Sequence, residues 1–203
     1  MSTALVSRIE TLLPTLDGWC TGQRAFELAA CIVALKPKVS VVLGVWGGRD
    51  TFAIAMAHQH NGFGKCIAVD PWQAQASVVG QTGAHAAWWS DQQKHDLVYE
   101  RFMGNMHRLG LTAQIEVHKM KACEVTPPKK IGLLVVDGNH GPDSIADVER
   151  WAPNVTVGGV CYADDINWKG GHVVEAVERL KAMGFVQIYE RDTGAFFQRV
   201  KTA

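Results

Sequence analysis

The sequence has 203 residues, 47% of them hydrophobic, and twenty Lys and Arg balance twenty Asp and Glu. That length and apolar content suit one domain over 1–203 with a sizeable core. With no clustered basic stripe, a nucleic-acid or anionic-membrane surface is excluded as the expected partner, which leaves small molecules. The opening "MSTALVSRIE" lacks the basic and apolar regions of a secretion signal, and no window approaches the ~20 apolar residues of a membrane span, so a cytoplasmic protein is expected. Five scattered cysteines, Cys20, Cys31, Cys66, Cys123 and Cys161, form no CxxC pair and are expected as reduced packing thiols.

Residues 1–36 carry apolar positions at helical spacing, interrupted at Pro14 and "DGWCTG", which predicts two helices joined by a turn. Strands then alternate with helices. Strands are expected at 39–44, 65–70, 113–119, 131–136 and 158–164, and helices at about 49–60, 143–152 and 172–183. Asp143 or Ser144 is the expected cap of the 143–152 helix; His172, after "KGG", either faces the crevice of the strand-end acids or, more simply, starts a helix. After Gly184, "FVQIYE" and "AFFQRV" flank "RDTG" and predict a terminal hairpin. Right-handed crossovers make the sheet mostly parallel, an α/β architecture with helices on both faces. The stretch 72–112 is too long for a plain connection and is expected to form a lid or specificity insertion, with a helix over about 90–109 and a flexible piece at Gly80–Gly83. Within it, Trp88 and Trp89 are either a dimer or core contact or the wall of a substrate pocket.

The chemistry-bearing residues fall at strand ends, where open α/β sheets bind ligands. "LGVWGGRDT" places Gly44, Gly47 and Gly48 between a strand and a helix; its GxxGG spacing is not the GxGxxG of nicotinamide-dinucleotide sites, and a plain tight turn is the other reading. Asp70, ending the second strand before Pro71 and Trp72, has the position of an acid that holds a ribose, or of an ordinary turn starter. If the 131–136 and 158–164 strands are neighbours, Asp137, Asp164 and Asp165 converge, and a divalent cation bound by oxygen ligands would relieve their repulsion. Asp164 and Asp165 both face that point only if the chain has left the strand by then. His140, three residues after Asp137, has the position and the chemistry of a general base.

On "GVWGG", "VDGNH" with "DVERW", and "GGVCYADDINW", the chain from 17 to 199 resembles the class I S-adenosylmethionine-dependent methyltransferases. More narrowly it is similar to the small bacterial group that holds the macrocin-type sugar O-methyltransferases and cephalosporin-hydroxylase-like proteins. The resemblance implies a Rossmann-like, seven-stranded sheet in the order 3-2-1-4-5-7-6 with the last strand antiparallel. It implies that Gly44, Val45, Trp46 and Gly47 turn around the methionine part of S-adenosylmethionine, and that Asp70, Pro71 and Trp72 hold its ribose side. Lys121 and Ala122 would then lie beside the adenine, with Asp137 at the cofactor too. Asp137, Asp164 and Asp165 match the ligands of Mg²⁺ or another divalent cation, and His140 the base acting on a hydroxyl of a diol, catechol or sugar. The family's usual glutamate is replaced by Val42, which implies weaker cofactor affinity or a substitute acid such as Asp50. A homodimer is compatible with the apolar N-terminal helices. Two rival readings are a nucleotide-dependent oxidoreductase, disfavoured by the missing GxGxxG, and a non-catalytic or altered-cofactor binding protein on the same sheet, for which Val42 speaks.

Overall fold

A computed structural model describes residues 1–168 and 171–201. Helices α1 (Thr3–Leu12) and α2 (Gly22–Leu35) come first, and the side chain of Thr21 caps α2 by accepting the N–H of Arg24. Strand β1 (Val39–Leu43), helix α3 (Arg49–Asn61) and strand β2 (Lys65–Val69) form the first parallel crossover. The insertion carries α4 (Ala74–Ser77), α5 (Gly83–Trp89) and α6 (Gln92–Arg108), the last capped by Asp91. Strands β3 (Ile115–His118) and β4 (Ile131–Val136), helix α7 (Asp143–Trp151), strand β5 (Val155–Ala163) and helix α8 (Val173–Ala182) follow. The chain closes with the hairpin β6 (Phe185–Arg191) and β7 (Gly194–Arg199).

The sheet order is β3-β2-β1-β4-β5-β7-β6, with β7 antiparallel to both of its neighbours, as the resemblance implies. Unbroken apolar strands are explained by cover on both faces, since alternate side chains enter opposite layers. Val42, Ala68, Leu133 and Val135 pack toward α1, α2, α3 and α6; Val41, Leu43, Ile67 and Leu134 pack toward α7 and α8. Strand β5 starts three residues earlier than the apolar run suggests, with a register shift where it meets β4 and Gly158 at φ +83°. Neither Asp143 nor Ser144 caps α7: Asp143 opens its first turn, and the Ser144 hydroxyl donates back to the Gly141 carbonyl at 2.8 Å. His172 immediately precedes α8, as expected of a helix start. Among the described residues no helix is long and apolar enough to cross a membrane.

The register fixes the site. Leu43 lies beside Val69 and Val136, and Val136 beside Ala163, so the chain leaves four neighbouring strands at one level of the sheet. Backbone bonds extend the ladder one step further: Asp137 N–H donates to Leu43 O at 2.8 Å and Asp164 N–H to Val136 O at 3.0 Å.

Candidate active site

At those strand ends lies a cavity of about 750 Å³. Its first half is the turn after β1. Gly44 sits at φ +84°, and a Cβ there would overlap the Asp137 carbonyl, so only glycine lets β1 and β4 end this close together. Asp70 braces the same turn: one carboxylate oxygen accepts the N–H of Val45 at 2.8 Å and of Trp46 at 3.0 Å, and the other accepts the N–H of Trp72 at 2.7 Å. Burial pushes the Asp70 carboxyl up, against the pull of those three N–H groups. Gly44, Val45, Trp46, Asp70, Pro71, Lys121, Ala122 and Asp137 all line the cavity.

Gly47 and Trp72 of that set do not line the cavity. A Cβ on Gly47 would strike the Asp17 backbone, so its glycine serves the approach of the N-terminal segment. Trp72 is fully buried; its positive φ turns the indole inward onto Tyr99 and Phe102, and its Nε1–H donates to Trp46 O at 2.9 Å. Its part is to support the turn from behind.

The second half is made of charge. Asp137, Asp164 and Asp165 do converge, with one oxygen from each within 4.8 Å of the others. Asp165 has φ +52°, so the chain has left the strand and consecutive acids face one volume. Arg24 of α2 reaches this point and forms ion pairs with Asp50, Asp137 and Asp164, its guanidinium lying 4.8 Å from the Tyr162 ring centre. Burial works against the Arg24 charge, and the three surrounding acids more than offset it, holding its pKa above the usual value. Burial together with the repulsion of Asp164 and Asp50 raises the Asp137 carboxyl well above the ordinary carboxylate range, although Arg24 opposes the rise. Burial also disfavours ionised Asp164, yet Arg24, the Asp165 N–H and the Thr193 and Tyr162 hydroxyls hold its carboxyl low. His140 Nε2 lies 2.9 Å from Asp165 Oδ2, its Nδ1 lies 3.3 Å from Gln81 Nε2, and its ring lies over Trp168 at 4.3 Å. Both contacts are satisfied when Nε2–H donates to Asp165 and Nδ1 accepts from Gln81.

Over both halves lies the insertion. Trp88 and Trp89 of α5 form a cluster with Trp46 of the turn and Trp19 of the N-terminal segment, at ring separations of 4.7–6.3 Å. All four line the cavity, so the pocket-wall reading of Trp88 and Trp89 describes their position. The Gly80–Gly83 piece is a turn whose Gly80 lies against the backbone of Gly141, beside His140.

The profile of a family described as a methyltransferase domain matches residues 41–166. The chain belongs to this methyltransferase family. By family and by fold it is a class I S-adenosylmethionine-dependent methyltransferase. No curated protein matches it by sequence. Among solved structures, the O-methyltransferase NovP is similar with a TM-score of 0.72 at 17% identity, over 91% of this chain and 84% of that one. The O-methyltransferase TomG from Streptomyces achromogenes, in complex with S-adenosylmethionine, has a TM-score of 0.63 at 14% identity, over 99% of this chain and 92% of that one. An O-methyltransferase from Bacillus cereus, in complex with S-adenosylhomocysteine, gives 0.62 at 13%, again over 99% and 92%. At these identities the likeness concerns the fold.

In this methyltransferase the sequence reading missed Arg24. A signal was present: Arg24, Leu28 and Ile32 are spaced four apart and all buried, so one guanidinium stands in the apolar stripe of α2 and needs an acidic partner. Asp50, expected as a substitute for the missing glutamate at Val42, is 6% exposed and is instead committed to that arginine. The charge conflict among the strand-end acids is thus partly offset by an internal cation. As they stand, Asp137 and Asp164 each already pair with Arg24 through one oxygen, so a divalent ion at the three acids would share its ligands with that cation.

Proposed function

We propose that this methyltransferase methylates a hydroxyl of a small, flat molecule, with His140 as the general base. The observation that carries the reading is the single cavity that joins the braced turn at Gly44 and Asp70 to the His140–Asp165 pair. The first half suits the cofactor: the Asp70 carboxylate has acceptor capacity left beyond its three N–H partners, and the glycine turn keeps the floor open. Bound there, S-adenosylmethionine supplies a sulfonium methyl group, which ends on the acceptor oxygen as its bond to sulfur breaks.

The chain's own residues do the rest. His140 Nδ1 accepts the hydroxyl proton after the substrate displaces Gln81, and Asp165 holds Nε2–H, fixing the tautomer and stabilising the imidazolium that forms. Trp19, Trp46, Trp88 and Trp89 present aromatic faces and edges to the cavity, which favours a catechol or other phenol over a sugar. No divalent cation enters this reading, since Arg24 already pairs with two of the acids that would bind one. Calorimetric titration with S-adenosylhomocysteine tests the cofactor half, and saturable one-to-one binding is expected. A screen of phenols with His140→Asn beside wild type tests the acceptor half. The variant should keep its cofactor affinity and lose about 10²–10⁴-fold in kcat. No binding of S-adenosylhomocysteine at any temperature would overturn the reading and favour the altered-cofactor alternative.

A further inference from the structure

The charge cluster beneath the cavity carries a consequence for metal use. Arg24 spends all three of its nitrogens: Nε donates to Asp50 Oδ1 at 3.1 Å, one terminal nitrogen is shared by Asp50 and Asp137, and the other pairs with Asp164. The remaining oxygen of Asp164 accepts the Tyr162 hydroxyl at 3.1 Å and the Thr193 hydroxyl at 3.0 Å. The oxygen of Asp165 that faces the site lies 2.9 Å from His140 Nε2. Each of the three acids is therefore engaged through one oxygen by a protein side chain, while Asp137 Oδ1 and Asp165 Oδ1 have no partner among the described residues, and a cation using them would sit against the Arg24 guanidinium.

Nor is Arg24 free to withdraw. Its side chain is 11% exposed and packed on Tyr162, and Asp50 beneath it is almost wholly buried, so moving the guanidinium would strand a buried carboxylate without a partner. Asp50 is thus a positioning residue that pins Arg24 from below. A divalent ion bound to Asp137 and Asp164 would share its ligands with this fixed cation. We propose that Arg24 occupies the place that the family resemblance gives to a divalent metal, and that methyl transfer by this chain is metal-independent.

The inference rests on the methyl-transfer reading only for what it says about activity, and it is tested by metal binding alone. The full chain, stripped with EDTA and saturated with S-adenosylhomocysteine, is titrated with Mn²⁺, with free ion followed by electron paramagnetic resonance. Free Mn²⁺ is expected from the first addition, with no one-to-one site tighter than about 1 mM. S-adenosylhomocysteine affinity should agree within about twofold in EDTA and in Mg²⁺. A stoichiometric Mn²⁺ site in the wild type that Asp165→Asn abolishes would overturn the proposal, even with cofactor binding intact. Arg24→Met uncovers the acids, so Mn²⁺ should raise its thermal midpoint and leave the wild type unmoved. A folded Arg24→Met protein that gains no response to Mn²⁺ would equally overturn it. Should that variant fail to fold, the wild-type titration decides by itself.

Discussion

The two halves of the cavity are built by different means. Around Gly44 and Asp70 the parts are neighbours along β1, β2 and their turns, and the bonds run from backbone N–H groups to a single carboxylate. Around Asp137 and His140 the parts come from α2, α3, β4, β5 and the insertion, and side chains meet across sequence gaps of 25 to 140 residues. The first half is a backbone device that one residue can spoil. The second is a set of ion pairs around one guanidinium, in which removing Arg24 leaves buried carboxylates unpaired.

The sharpest break of the first half is Gly44→Ala. It combines a positive φ with a clash against Asp137, and should cost about 3 kcal/mol or more of stability and abolish S-adenosylhomocysteine binding, read by thermal unfolding and calorimetry. Trp72→Ala empties a fully buried site behind the same turn and should cost about 3–5 kcal/mol in denaturant unfolding while leaving the His140–Asp165 pair in place. Should cofactor binding survive at low temperature, the indole is a brace and not a ligand contact.

A probe that ought not to distinguish the halves is acid acting on His58, which meets Ser40 near the start of β1, at the end of the strand away from the cavity. It is wholly buried, with Nε2 2.8 Å from the Ser40 hydroxyl, and burial pushes its pKa down from 6.5 to about 4. The unfolded chain binds this proton more readily, so stability is fully present above about pH 6.5 and is lost as pH falls toward 4, by about 3 kcal/mol at most. Asp147 works the other way. Burial and the nearby Asp143 push its carboxyl up to about 7, so its neutral form favours the folded state at low pH. The difference between wild type and His58→Gln in denaturant midpoints at pH 4.5 and 7 isolates the histidine, and the variant should show the flatter profile. The smallest expected effect belongs to the wall: Trp88→Ala should weaken acceptor binding by about 1–3 kcal/mol with cofactor affinity unchanged, read as a rise in KM.

The sequence was most legible where burial imposes a pattern. Leu133 to Val136 announce a strand covered on both faces, and the terminal hairpin follows from its turn residues, so the strand ends and the convergence of Asp137 with Asp164 followed too. The insertion was least legible. Helix α5 buries none of its residues and has no side-chain cap, which leaves no periodic signal to read. Trp72 is expected at the cofactor because it follows Asp70 and Pro71 at a strand end, whereas its indole is fully buried and does not line the cavity. Arg24 escaped because spacing along a helix shows that a charge is buried but not which distant acids receive it.

Four indoles within van der Waals reach of one another are also an optical antenna. Their near-ultraviolet transitions couple at 4.7–6.3 Å, so the tryptophan cluster should give the free protein a strong exciton signature in circular dichroism. A planar acceptor sliding between Trp46 and the α5 pair would separate the dipoles and erase part of that signature. If the proposed acceptor enters there, its binding is read by circular dichroism without a label.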